Sequence, residues 1–299
     1  MRVSYSPGYA VPLPEGHPFP MSKFPALHRI LLEEGLLRPE DVVDPWEADW
    51  RDLRLVHSSD YLGALADGTL DRAAERRLGL PWSRPLVRRS RLAAQGTLNA
   101  AQMALEDGVA ANLAGGTHHA FAAHGEGFCV LNDVGVAIRV LQREVWIRRA
   151  LVVDLDVHQG NGTASIFAGD NSVFTFSIHG EKNFPFRKAA SSLDLGLPDG
   201  TGDEEYLRVL RAHLPGVVEA ARPDLVFYLA GVDPLAGDRF GRLSLTPAGL
   251  ALRDATVLEE MRGRGLPVVL VLSGGYARTP GTTALMHAIV HREARRVFG

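Results

Sequence analysis

The sequence predicts an α/β fold with a central, mostly parallel sheet covered by helices on both faces. Two observations carry this. In the second half of the chain, short apolar runs alternate with longer helical patterns, the order of strand–crossover helix–strand units. Four of those runs then pass straight into polar or Gly-rich text, and open parallel sheets bind ligands beyond the carboxyl ends of their strands.

Taken in order, Pro12 to Pro25 is rich in Pro and Gly and reads as ordered loop. Helical patterns follow at Pro25 to Glu34 and Ser59 to Ala66. Two prolines in Leu78 to Pro85 break any helix there. Arg89 to Glu106 reads as a helix, because Leu92, Ala93, Leu98, Ala101 and Leu105 repeat near 3.6. Ala150–Val153, Val173–Ile178, Leu225–Leu229 and Val268–Leu272 read as buried strands, and Asp203–Ala221, Pro247–Arg262 and Leu285–Val297 as helices. No repeat, low-complexity segment or linker interrupts them, so residues 1–299 are expected to form one domain.

Composition narrows the classes. Hydrophobic residues make 46% and charged residues 22%, which excludes wholesale disorder. A net charge of -3 gives no global attraction to nucleic acid or to an anionic membrane. The single cysteine, Cys129, can form no intrachain disulfide. The N-terminus lacks the apolar run of a signal peptide, and no apolar stretch approaches membrane-spanning length, so a cytoplasmic location is expected. Only Lys23, Lys182 and Lys188 are lysines, and the other basic residues are arginines.

The strand ends lead to DLDVHQGNG, IHG, AGVDPLAGD and SGGYA, which predicts one site built from distant segments. Asp154, Asp156 and His158 are spaced by two, so in an extended strand end they share one side. Packed carboxylates repel unless a cation or proton lies between them. Asp156 and His158 could therefore hold a zinc-like ion with Asp233 as third ligand, leaving a position open for water and substrate; the alternative is a set of turn formers. His118 and His119 could be a general base and its electrostatic neighbour, with Asp154 and Asn161 as orienting partners, or a loop pair without a role. Tyr276, after the Gly274–Gly275 pair, could donate to a developing oxyanion or pack as a rim tyrosine. Phe128, Phe184 and Phe186 could wall an apolar channel or plug the core. Cys129 reads as a buried small hydrophobe.

GGTHHA, GEGFCVLNDV, VVDLDVHQGNG, LAGVDPLAGDRFG and SGGY resemble the zinc-dependent histone deacetylase family, which includes bacterial acetoin-utilisation and acetylpolyamine hydrolases. The likeness runs from about His17 to about Tyr276. Gln159, Ser273 and the stretch after Leu229 resemble the class IV branch most. The resemblance implies the arginase-deacetylase fold, with a central parallel sheet of about eight strands. It implies Asp156, His158 and Asp233 as ligands of one zinc ion, His119 as main base, His118 as second base or electrostatic element paired to Asp154, and Tyr276 as carbonyl polariser. It also implies an acyl-lysine channel lined by Gly127, Phe128, Phe184 or Phe186 and Gly275. A structural potassium would be held by main-chain carbonyls of Asp154, Asp156, His158, Ser177 and Ile178.

Three departures from the family pattern stand out. Gln159 and Asn161 replace the His and Asp of many relatives, so the dyad of His119 carries no formal charge on its partner. Ser273 replaces a common Gly. The loop GLPWSR has no acidic residue to hold a substrate backbone, which leaves Trp82 as a candidate rim aromatic. The activity implied is metal-dependent amide hydrolysis, with an acyl-lysine protein or peptide ranked first and an acylated polyamine second. Glu15, Glu126 and Glu181 are the acidic residues that could attract a polyamine. No direct nucleic-acid or membrane partner is expected, and the oligomeric state is open. The competing readings are a two-metal ureohydrolase of the same fold and a catalytically silent acyl-lysine or metabolite binder.

Overall fold

The computed structural model describes Met1–Gly299. Its strands are β1 (Val3–Ser4), β2 (Val42–Val43), β3 (Val109–Asn112), β4 (Ala150–Asp154), β5 (Val173–Gly180), β6 (Leu193–Leu197), β7 (Leu225–Leu229) and β8 (Val268–Val271). The helices are α1 (Lys23–Glu33), α2 (Trp50–Leu53), α3 (Ser59–Asp67), α4 (Arg72–Leu78), α5 (Arg84–Asp107), α6 (Asp133–Arg143), α7 (Asn161–Ile166), α8 (Asp203–Ala221), α9 (Pro247–Gly263) and α10 (Pro280–Phe298). The strands form one eight-stranded sheet in the order β2-β1-β3-β8-β7-β4-β5-β6. Every pairing in it is parallel, not merely most.

The central strands are apolar because both faces are covered. β4, β7 and β8 are buried at every residue, with registers such as Val152–Phe227 and Phe227–Val269. Such strands read as unbroken apolar runs, which is why the sequence exposes them. The edge strand β6 is only partly buried, and β1 and β2 have two residues each, too few to show a period. α5 begins at Arg84, earlier than its periodicity suggests. Ser83 caps it through the Leu86 N–H, and Pro85 sits in the first turn, where a missing N–H costs nothing. Pro280 starts α10 in the same way, under the Thr279 cap.

The loop from α2 to α3 is tied to the site-bearing segment by a neutral histidine. His57 is buried; its Nδ1–H donates to Phe121 O at 3.0 Å while Nε2 accepts the Asn132 N–H at 2.9 Å. That arrangement has no room for a second ring proton, and burial lowers the pKa from 6.5 to about 4. The folded state therefore holds fewer protons than the unfolded chain between those values. The His57 contribution to stability is complete above pH 6.5 and is lost as pH falls toward 4. At most about 3 kcal/mol is involved. The melting-temperature gap between wild type and His57→Gln should narrow steadily from pH 7 to pH 4; a gap independent of pH would refute the assignment.

Candidate metal and acyl-transfer site

Five neighbouring strands, β3, β8, β7, β4 and β5, send their C-terminal loops to one place. The loop after β3 brings His118 and His119. The left-handed Gly115 and Gly116 (φ 79° and 75°) shape it, and a Cβ on Gly116 would lie 2.7 Å from the Ser273 nitrogen. Asp133 anchors this loop by accepting the N–H groups of Gly116 (3.0 Å) and Thr117 (2.8 Å). Two of the four non-glycine residues with positive φ, Phe128 and Ser273, also belong here, and strained backbone of this kind concentrates at functional sites.

β4 ends at Asp154, and the chain then bends. The side shared by Asp154, Asp156 and His158 is thus not that of an extended strand. It comes from successive turns in which Asp154 accepts the Asp156 N–H (3.2 Å) and Asp156 accepts the His158 N–H (2.9 Å). Asp233, in the loop after β7, accepts the Val157 N–H at 2.9 Å. Arg253 of α9, fully buried, donates to Leu155 O (3.2 Å) and Gly231 O (2.6 Å), so one side chain ties together the two loops that carry the carboxylates.

His158 Nδ1 lies 2.9 Å from Asp156 Oδ1 and 3.2 Å from Asp233 Oδ2. One donor atom from each of the three lies within 4.8 Å of the others, all buried. Asp233 Oδ2 accepts no hydrogen bond there. Burial, and then the Asp156 charge, raise Asp233 to about 7. Burial opposes a charge on His158, yet its two carboxylate neighbours raise it to about 10. A proton on His158 thus stands where a cation would neutralise two buried carboxylates. The donor set of two oxygens and one imidazole nitrogen suits a catalytic divalent metal.

The histidine pair forms two unlike dyads. His118 Nδ1 meets Asp154 Oδ2 at 2.7 Å, and His119 Nδ1 meets Asn161 Oδ1 at 2.7 Å. Burial disfavours charge on both. For His118 the carboxylates of Asp154 and Asp156 overcome it and raise the pKa to about 9, whereas burial and the neighbouring imidazoles hold His119 well below the ordinary value. Asn161 is itself oriented, since its Nδ2 donates to Glu126 Oε1 at 3.3 Å, and Glu126 Oε2 lies 3.4 Å from His124.

A cavity of about 510 Å³ opens from this cluster, with His119, His158 and Tyr276 on its lining. Gly127, Phe128, Phe184, Phe186 and Phe240 wall it. The Phe184 ring stands edge-on to His119 at 4.9 Å. Lys188 Nζ pins the Phe184–Phe186 loop by donating to Asn183 O and Pro185 O, each at 2.6 Å. Two expected lining residues lie elsewhere. Trp82 donates its indole N–H to Leu65 O (2.9 Å) and packs on Gly68, beneath the end of α3 rather than at the rim. Gly275 faces Val232, Thr283 and His287, behind Tyr276. Cys129 is buried and far from ionisation, because burial raises its thiol. The sequence reading passed over Lys23, which is buried and lowered to about 8 by burial, with Nζ donating to Ser273 O at 3.0 Å. All three lysines of the chain prove to be at or beside the site; their rarity was the available signal.

Residues 17–291 match the histone deacetylase domain. The chain belongs to the histone deacetylase family. The family is one of deacetylase-type hydrolases. The chain is 50% identical over 296 residues to an uncharacterised protein of Picosynechococcus sp., covering 99% of each. It is 34% identical to histone deacetylase 2 of Arabidopsis thaliana, covering 93% of this chain and 75% of that protein. A probable deacetylase of Methanothermobacter thermautotrophicus is 33% identical, over 92% of this chain and 86% of the other. The crystal structure of a histone deacetylase homologue complexed with SAHA superposes with a TM-score of 0.79 at 24% identity, covering 100% of this chain and 88% of that one, and so shares its fold. No helix is long and apolar enough to cross a membrane.

Proposed function

We propose that this deacetylase-family protein is a metal-dependent amidohydrolase that removes acetyl or longer acyl groups from lysine side chains of proteins or peptides. Residues 1–299 would act as one catalytic domain, in the cytoplasm. The observation that carries the reading is the convergence of the Asp156–His158–Asp233 cluster, the two histidine dyads and Tyr276 at one end of an aromatic-walled cavity. Asp156, His158 and Asp233 are the residues that would hold one zinc ion, and the chemistry such an ion supplies is Lewis acidity toward the acyl carbonyl and the attacking water. His119, kept neutral by burial, is the base that takes the proton of that water at Nε2, since Nδ1 is committed to Asn161. His118, whose Nδ1 is paired with the Asp154 carboxylate at 2.7 Å, is the group that would offer a proton or positive charge beside the departing amine. The Tyr276 hydroxyl stays protonated, because burial raises it well above 10, and donates to the carbonyl oxygen as negative charge develops.

Gln159, Asn161 and Ser273 favour a class IV-like enzyme. Gln159, in the loop after β4, donates to Ala189 O (2.5 Å) in the loop before β6 and to Asp194 of β6 (2.8 Å). A structural potassium on the main-chain carbonyls of Asp154, Asp156, His158, Ser177 and Ile178 belongs to the same proposal.

In this scheme Glu126 positions Asn161 by fixing which face of its amide meets His119. Glu126→Ala should lower kcat/KM about tenfold, the worth of one partly buried hydrogen bond to a charged group, while Glu126→Gln, which still accepts, should restore most of it. Equal losses in both variants would make charge, rather than orientation, the contribution.

The deciding experiment is initial-rate hydrolysis of acetyl-, butyryl-, octanoyl- and myristoyl-lysine peptides and acetylated polyamines by zinc-loaded protein. Turnover of the lysine peptides supports the reading, and the chain-length profile assigns the acyl group. No turnover on any member with zinc bound would instead make the protein a silent acyl-amine binder.

A further inference from the structure

The chain is net acidic at -3, yet the cavity is not. Arg77, Lys182, Arg239 and Arg242 line it, all exposed, and no Asp or Glu does. These cations come from three separate segments: the end of α4, the loop after β5 and the loop after β7. Elsewhere on the surface Arg2, Arg38, Arg143 and Arg292 each sit against a carboxylate at 2.6 to 2.8 Å, while Arg54, Arg72 and Arg76 pair with none, so what sets the mouth apart is the gathering of four cations around one cavity. Of the four at the mouth only Arg242 has such a partner, Asp199 at 3.2 Å. Two acidic groups close to the cavity are already engaged, and Glu181, next to Lys182, is exposed but does not line it. Asp238, beside Arg239, accepts the N–H groups of Phe240 (2.9 Å), Gly241 (3.1 Å) and Tyr276 (2.7 Å). Glu126 faces Asn161 and His124.

Uncompensated like charges around a cleft with apolar walls focus a field that raises the local concentration of the opposite sign and repels the same sign. Phe186 (85% exposed) and Phe240 (38%) supply such walls at the mouth. An acyl-lysine side chain is neutral along its length, so the field acts on whatever carries the lysine.

We infer that the substrate presents a carboxylate next to the acylated side chain: an acyl-lysine set among Asp or Glu residues. Arg77, Lys182 and Arg239 are its specificity determinants. A polyamine, cationic along its chain, is excluded by the same field, which reverses the role expected of Glu15, Glu126 and Glu181. This rests on the acyl-amine hydrolase reading above and specifies its substrate.

The test uses three peptides carrying the same acyl-lysine flanked by Glu, Gln or Lys, assayed with the whole metal-loaded protein at low and high salt. The Glu peptide should exceed the Lys peptide in kcat/KM by about tenfold or more at low salt, chiefly through KM, and the ratio should shrink at high salt as the charges are screened. In the double variant Lys182→Glu/Arg239→Glu the order should reverse. A ratio near one, or a Lys preference, overturns the inference even when the Gln peptide is turned over and the hydrolase reading stands. If no peptide is turned over, the hydrolase reading fails by itself, and fluorescence anisotropy of the same peptides still reads the charge preference. The wild-type salt dependence decides the matter should the double variant not fold. A free Nε-acyl-lysine compared with its α-amide separates two sources of the carboxylate: a preference for the free acid assigns it to the substrate's own terminus, and one confined to peptides assigns it to flanking side chains.

Discussion

Tyr276→Phe is expected to lower kcat by about 10²- to 10³-fold, the usual cost of losing one oxyanion donor, with metal content unchanged. The substitution is clean for three reasons. The ring packs edgewise on Phe240 at 4.9 Å, and Phe keeps that contact. The backbone is fixed independently, since its N–H donates to Asp238 at 2.7 Å and its carbonyl accepts the Arg239 N–H at 3.2 Å. The hydroxyl faces the cavity and not a protein partner, so its removal orphans nothing. Steady-state kinetics on the best peptide, with metal analysis of both proteins, checks this. Unchanged turnover would remove Tyr276 from the reaction and with it most of the proposed electrostatics.

The second large effect is on the metal. Chelation should abolish turnover, one divalent ion per chain should restore it, and the loaded protein should melt higher than the stripped one. An ion present at about 1,000 times its dissociation constant stabilises by about 4 kcal/mol. Asp233→Asn is the informative variant. It preserves shape and an acceptor for the Val157 N–H, yet removes a charge from the cluster, so metal retention on dialysis should fall while the fold persists. Turnover that survives with no bound metal would exclude the mechanism. Two ions per chain would favour the ureohydrolase chemistry that shares this architecture.

The architecture was legible wherever burial on both faces leaves a continuous apolar run. Leu225–Leu229 was read to the residue, and Ala150–Val153 and Val268–Leu272 to within one. The strands that escaped are those where this signal fails: two-residue β1 and β2, Ala-rich β3, and half-exposed β6. The prolines of Leu78–Pro85 suggest a break, yet Pro85 sits in the first turn of α5, where its missing N–H costs nothing; α10 likewise starts at Pro280, five residues before its periodic pattern at Leu285.

The sequence by itself determined which chemical groups stand at the strand ends. The Asp-x-Asp-x-His run, the tandem His pair and the Ser-Gly-Gly-Tyr turn are local motifs; that His118 meets Asp154, that His119 meets Asn161 and that Asp233 joins Asp156 and His158 was implied by the family resemblance and is brought about by the fold. Only the tertiary structure decided what surrounds them. It took Trp82 and Gly275 away from the channel, turned Glu126 from a substrate attractant into the partner of Asn161, and gathered Arg77, Lys182, Arg239 and Arg242 at one mouth. The reason is physical. A ligand motif is written in a few consecutive residues, whereas the sign of the field over a cavity is a sum over loops brought together from Arg77 to Arg242 by the order of the strands, and no stretch of sequence contains that sum.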